Sequence, residues 1–276
     1  MSPASARGRA LGYRRASGAI GAPRPASAAM NPLVREARRL VLASQFLTRL
    51  PAPRLRNVSE AELLASTHWF PLVGLVIGAL MAAAGFAGSM LDPWLGALAV
   101  LTLGVWITGA LHLDGLADVT DGLGAAHGRP ERQLEAMRDP HIGSLGAVAV
   151  TLLLAGKLVL LMLLLREGQW LALLLVPAWA RLGTLYWVAT VPPLAAGMGE
   201  RFAWRSRRLP MLAWLILLAP LSWWLSPWLL LAPGVMLAWA AFLRHRVGGM
   251  TGDGLGAGVE LTEVALLLIL VVGALW

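Results

Sequence analysis

Three aspartates fall on the stretch His112-Leu-Asp-Gly-Leu-Ala-Asp-Val-Thr-Asp121. Asp114 and Asp118 are four residues apart, and Asp118 and Asp121 are three apart. On a helix these spacings put all three on one face. Like charges so arranged repel unless a cation lies between them. Hard oxygen ligands suit Mg²⁺, which takes one or two carboxylates together with waters and substrate phosphates. A solvated helix end or an N-cap cluster accounts for any one of these aspartates. Three on one face, beside a long apolar run, favour a metal. His112, next to Asp114, has the chemistry of a base, a ligand or an orienting hydrogen-bond partner, and spacing alone does not choose among them.

A second polar island reads Gly248-Gly-Met-Thr-Gly-Asp-Gly-Leu-Gly-Ala257, followed by Glu260 and Glu263. Its glycines permit close backbone approach and positive φ. A loop over Gly252, Gly254 and Gly256, with Thr251 beside it, is expected to pack against a phosphate or nucleotide, as helix N-termini do. Asp253, Glu260 and Glu263 add metal-ligating carboxylates. The plainer alternative is a flexible turn followed by helix-starting acids. Arg129, Arg132, Arg138, Asp139 and His141 lie between the two islands. Arginine suits bidentate recognition of phosphate, and Arg138, just before Gly143-Ser-Leu-Gly146, is the strongest candidate. Lys157 and Arg181 fall inside apolar runs, where a charge is costly and marks a functional site. The catalytic candidates are therefore Asp114, Asp118, Asp253, Arg138 and Lys157.

These residues need a scaffold, and the composition points to a membrane. Of 276 residues, 58% are hydrophobic and 14% charged, with a mean hydropathy of +0.68. Soluble domains carry about 25% charged residues. The expected fold is an all-α polytopic membrane bundle of about seven spans: 71–91, 94–113, 145–165, 170–191, two helices within 209–243 broken at Ser226-Pro227, and 259–276. An amphipathic interfacial helix covers Asn31 to Leu50. A short polar helix follows at Ser59–Ser66, with Ser59 as N-cap and Glu62 as its capping-box partner. Tryptophans such as Trp69, Trp94, Trp170 and the pair Trp223-Trp224 fit an interfacial belt.

With seven spans, residues 1–70, 114–143, 192–208 and 244–258 share one side, and they hold 20 of the 23 lysines and arginines. That side is expected to be cytoplasmic. The net charge of +8 thus reflects topology, and no nucleic-acid partner is expected. With no cysteine, disulfides and thiolate chemistry are excluded. Residues 1–29 read as a disordered basic extension without the apolar core of a secretory signal. Met30 is an alternative start, so their translation is open. Residues 30–276 read as a single transmembrane catalytic domain.

Several motifs together resemble the cobalamin synthase, or adenosylcobinamide-GDP ribazoletransferase, family. They are Gln45-Phe-Leu-Thr-Arg-Leu-Pro51, Phe70-Pro-Leu-Val-Gly74, Leu111-His-Leu-Asp-Gly-Leu-Ala-Asp118 with Asp121-Gly122, Met137-Arg-Asp139, and Gly248–Ala257 with Glu260 and Glu263. The resemblance runs from about Asn31 to the C-terminus. The family tends to carry a basic residue in the loop 192–199, and here there is none. The resemblance implies transfer of the adenosylcobinamide phosphate moiety of adenosylcobinamide-GDP to α-ribazole or its 5′-phosphate, with release of GMP. It also implies dependence on Mg²⁺ and a place in the bacterial inner membrane among lipid. In this reading Asp114, Asp118 and Asp121 hold Mg²⁺ on the pyrophosphate, while Arg138 and Lys157 offset phosphate charge. Oligomeric state is open, a homo-oligomer included. A CDP-alcohol phosphotransferase is the alternative enzyme, although Ala117-Asp118 stands where that family needs Ala-Arg. A cation transporter is the alternative of another class, but transporters set their acids near the bilayer midplane.

Overall fold

A computed structural model describes residues 31–194 and 208–274. The expectations for residues 1–29 and for the stretch 195–199 lie outside the described residues. Within them the chain is helical, with a single isolated bridge between Pro193 and Met250. The helices are α1 (Pro32–Leu47), α2 (Glu60–Ser66), α3 (Phe70–Ser89), α4 (Pro93–Thr108), α5 (Leu111–Ala126), α6 (Pro130–Ala136), α7 (Ser144–Arg166), α8 (Val176–Thr190), α9 (Arg208–Leu225), α10 (Ala232–Phe242) and α11 (Gly252–Ala274).

Five segments are long and apolar enough to cross a membrane: Glu60–Ser89, Ser144–Arg166, Trp170–Thr190, Pro227–Val247 and Gly252–Ala274. A sixth arises if α4 and α5, bent by 85°, count as one. The expectation of about seven exceeds this because α4 stops at Thr108 and the apolar part of α9, Leu209–Leu225, is short. The break expected at Ser226-Pro227 is present. The last helix begins at Gly252, well before the expected residue 259. The outer surface is apolar: Leu98, Leu152 and Ile216 are 51%, 67% and 75% exposed, as lipid-facing side chains must be.

At the N-terminal end, α1 buries Leu42, Ala43 and Leu47. Ser59 caps α2 by accepting from the Glu62 N–H at 3.2 Å. Glu62 does not complete a capping box, because its carboxylate pairs with Arg38 of α1 at 2.8 Å. A charge-assisted bond to a half-buried guanidinium outcompetes a backbone N–H. Glu36 accepts from the indole N–H of Trp69 (3.2 Å) and meets His68 (3.0 Å) and Arg39. Burial pushes its carboxyl up, but Arg39, Trp69 and His68 together hold it below its ordinary value.

The bend after α4 has a backbone cause. Gly109 (φ 63°) and Ala110 (φ 61°) are both left-handed. The Gly109 N–H donates to Trp106 and the Ala110 N–H to Val105, the Schellman pattern that ends a helix. A third free carbonyl, that of Ile107, accepts from the Arg49 N–H at 2.7 Å. The strand-like segment after α1 therefore caps α4, and α5 departs across the bundle. It passes the first turns of α7 and α11.

Packing is closest where α3 meets α8 and the turn before it. A methyl group on Gly78 would strike the Leu174 carbonyl, whereas one on Gly156 meets open space. Deeper in, Lys157 of α7 contacts Glu260 (2.6 Å) and Glu263 (2.7 Å) of α11. Glu263 also binds Arg181 of α8, whose Nη2 lies 3.4 Å from Nδ1 of His112. Two cations and two anions balance, and each is at most 7% exposed. Removing one member of such a buried set strands a charge.

Two outcomes follow for thermal unfolding in detergent. Gly78→Ala should lose about 1–3 kcal/mol, with Gly156→Ala unchanged. Glu263→Gln, which deprives both Arg181 and Lys157, should lose on the order of 3–5 kcal/mol and exceed Glu260→Gln. Equal losses for the two glutamates would show that Glu263 does not serve both cations.

Candidate active site

The two polar islands meet through backbone. A Cβ on Gly115 of α5 would lie 2.7 Å from the Asp253 carbonyl oxygen, and one on Gly256 would lie 3.3 Å from the His112 Cα. Glycines at both positions let α5 lie directly on the first turn of α11. The expected loop over Gly252, Gly254 and Gly256 is therefore helix; Gly256 serves the contact with α5, whereas a Cβ on Gly252 would meet nothing within 4 Å. Thr251 caps it, its hydroxyl accepting from the Gly254 N–H at 2.9 Å, a standard use of threonine. The irregular part of the island is Gly248–Thr251. The N–H groups of Gly248 and Gly249 donate to Leu243, Met250 N–H donates to Pro192 and Leu194 N–H to Met250.

This contact sets Asp253 beside Asp114 and Asp118. Asp114 is exposed; Asp118 and Asp253 are half-buried. Among the described residues none of the three takes part in an ion pair. Asp121 is placed differently. Its two carboxylate oxygens accept from the N–H groups of Gly143 (2.7 Å) and Gly146 (2.8 Å), so it caps the positive end of α7. Glu260 and Glu263 face Lys157 and Arg181 inside the bundle. Of the expected ligands, Asp114, Asp118 and Asp253 are the ones left without a positive partner. Among the described residues no three acidic or histidine side chains converge on one point. Unpaired carboxylates on facing helices fit a cation that completes its shell with water and substrate phosphate, as Mg²⁺ does.

Beneath Asp114 and Asp253 lies a cavity of about 160 Å³. Phe46, Leu64, Phe70, Val188, Leu255 and Val259 form most of its wall, and His112, Thr67 and Thr184 also reach it. The rings of Phe46 and Phe70 stack at 5.7 Å. No Lys or Arg lines it. Phe46 and Phe70 stand within the family-like motifs, but their pattern in sequence is that of ordinary apolar helix faces. Thr184 and Val188 carried no signal at all.

Arg138 is exposed and makes no side-chain bond among the described residues. Asp139 accepts from the backbone N–H of His141 at 2.9 Å and meets its ring at 2.8 Å, and these bonds hold its carboxyl below its ordinary value. Asp139 is thus a turn-former. Gln133 of α6 donates to the Val247 carbonyl at 3.2 Å, which ties the arginine-bearing segment to the turn before Gly248. Lys157 is committed to its two glutamates.

Comparison with known proteins bears on this arrangement. A family model for cobalamin-5-phosphate synthase matches residues 39–271. An adenosylcobinamide-GDP ribazoletransferase of Laribacter hongkongensis is 57% identical over 85% of this chain and 97% of its own. Proteins of the same name from Thiobacillus denitrificans and Novosphingobium aromaticivorans are 49% and 47% identical, over 84% and 87% of this chain and 94% and 98% of theirs. No solved structure matches. With the match running from within α1 nearly to the end of α11 and taking in every residue of the site, the chain belongs to the cobalamin-5-phosphate synthase family.

Proposed function

We propose that the chain is an adenosylcobinamide-GDP ribazoletransferase. It joins adenosylcobinamide-GDP to α-ribazole, or to its 5′-phosphate, and releases GMP. The observation that carries this reading is a pair of carboxylates without a cation, Asp114 and Asp253, at the mouth of an apolar cavity, with a third, Asp118, one helical turn along from Asp114. A pyrophosphate-bearing substrate and a hydroxyl nucleophile need that combination. A transporter reading is disfavoured because the acids buried among the helices, Glu260 and Glu263, are neutralised by Lys157 and Arg181. The lipid head-group alternative keeps no support beyond the aspartates themselves.

A ribose hydroxyl attacks the cobinamide-linked phosphorus. The new phosphorus–oxygen bond forms as the bond to the GMP oxygen breaks. Protein catalysis of such a transfer is mostly positioning and charge stabilisation. Asp114 and Asp118 would hold Mg²⁺, which when bound neutralises charge on the pyrophosphate oxygens. Asp253, which reaches both cavity and mouth, accepts the hydroxyl proton. Arg138 is exposed beside the same end of the bundle and offsets phosphate charge. Lys157 is given no such part, since its charge is already met. The apolar wall keeps water from competing as nucleophile. By its arginine content this end of the bundle faces the cytoplasm, in the bacterial inner membrane, where soluble phosphorylated substrates reach it.

Purified protein in detergent, given adenosylcobinamide-GDP, α-ribazole and Mg²⁺, should release GMP detectable by mass spectrometry. Chelation should stop turnover and Mg²⁺ restore it. Asp114→Asn should lower turnover by at least about 100-fold, as losses around metal sites do, without shifting the unfolding temperature. Near-normal turnover of Asp114→Asn, or turnover in excess chelator, would sink the metal assignment.

A further inference from the structure

We propose that the cavity beneath Asp114 and Asp253 binds the aromatic base of the nucleoside acceptor, with the Nε2–H of His112 donating a hydrogen bond to the base's ring nitrogen. This rests on the ribazoletransferase reading. The polar side chains on the cavity are Asp114 and Asp253 at its mouth and His112, Thr67 and Thr184 within it. The Thr67 hydroxyl donates to the Leu64 carbonyl at 2.8 Å, and the Thr184 hydroxyl to the Arg181 carbonyl at 2.7 Å. Both hydroxyl protons are committed to their own helices.

Among the side chains on the cavity, the His112 ring is the remaining donor. Arg181 can only donate, so Nδ1, 3.4 Å from its Nη2, is the accepting nitrogen. A neutral imidazole then carries its proton on Nε2, and Nε2 is the nitrogen left for the cavity that His112 lines. Arg181, itself fixed by Glu263, is a positioning residue that selects this tautomer. His112 is accordingly a donor, neither metal ligand nor base, which resolves what spacing left undecided.

Size and charge select the occupant. A volume of about 160 Å³ suits a bicyclic ring far better than a corrin. With no Lys or Arg in the wall, phosphate has no partner there. Guanine carries a carbonyl and several N–H groups around its edge; with Asp114 and Asp253 at the mouth committed to the cation, the apolar interior leaves most of them unmatched, at a real desolvation cost. The benzimidazole of a ribazole has one free ring acceptor and otherwise C–H and methyl edges, which suit Phe46, Phe70, Val188 and Val259. With the base inside, its ribose points to the mouth, where Asp253 and Asp114 stand.

The test uses full-length protein in detergent and two acceptors: α-ribazole and the matching α-riboside of indole, in which C–H replaces the accepting nitrogen. Wild type should prefer α-ribazole by about tenfold in kcat/KM, the usual worth of leaving one buried donor unmatched. His112→Phe should erase that preference while leaving the KM for adenosylcobinamide-GDP unchanged. Val188→Phe, which fills the cavity without touching His112, should raise the KM for α-ribazole at least about tenfold and leave that for adenosylcobinamide-GDP alone. A preference that survives in His112→Phe overturns the hydrogen bond. A Val188→Phe effect confined to adenosylcobinamide-GDP puts the guanosine in the cavity and overturns the subsite. Wild type that releases no GMP from the natural pair overturns the transferase reading itself, and that result is separate from the other two.

Discussion

The site depends on a helix that stops before it has crossed the bundle. At Gly109 and Ala110 the backbone turns left-handed, and the carbonyls thereby freed must find donors. Two are met by the turn itself and a third by the Arg49 N–H. The Thr48–Leu50 segment is thereby tied to the turn. Redirected by 85°, α5 can lie across the starts of α7 and α11. A straight continuation of α4 would have carried Asp114 and Asp118 away from Asp253.

Charge is distributed on a consistent principle. Acids inside the bundle, Glu260 and Glu263, are matched by Lys157 and Arg181. Asp121 is matched by two backbone N–H groups at the positive end of α7. Asp114, Asp118 and Asp253 are left unmatched, and Asp114 and Asp253 stand at the mouth where a ligand can reach them. The contrast matters because all of these residues look alike in sequence: acids at helical spacing close to apolar runs. What separates them is whether a partner arrives from a distant part of the chain.

That difference marks what could be read in advance. The helical membrane class, the break at Ser226-Pro227 and the Ser59 cap were legible because hydropathy, proline and local capping act over a few residues. The pairing of the aspartate stretch with the Gly248–Glu263 island was legible through shared topology. The commitments of Asp121, Glu260, Glu263 and Lys157 were not, since each partner lies more than twenty residues away. The helical start at Gly252 was hidden because five glycines read as a loop when the helix they serve is not in view. Arg49 reaches the turn both through its backbone N–H and through its guanidinium, which lies 3.5 Å from the Gly109 carbonyl, a contact sixty residues away in the chain.

The Gly115–Asp253 contact has a consequence for how the site tolerates change. Its two halves are registered by main chain against main chain, with no carboxylate acting as a strut. An aspartate there can lose its charge while the helices that carry it keep their separation. In Asp253 chemistry and architecture are thus borne by different atoms: its carboxylate faces the cavity while its main chain packs on Gly115.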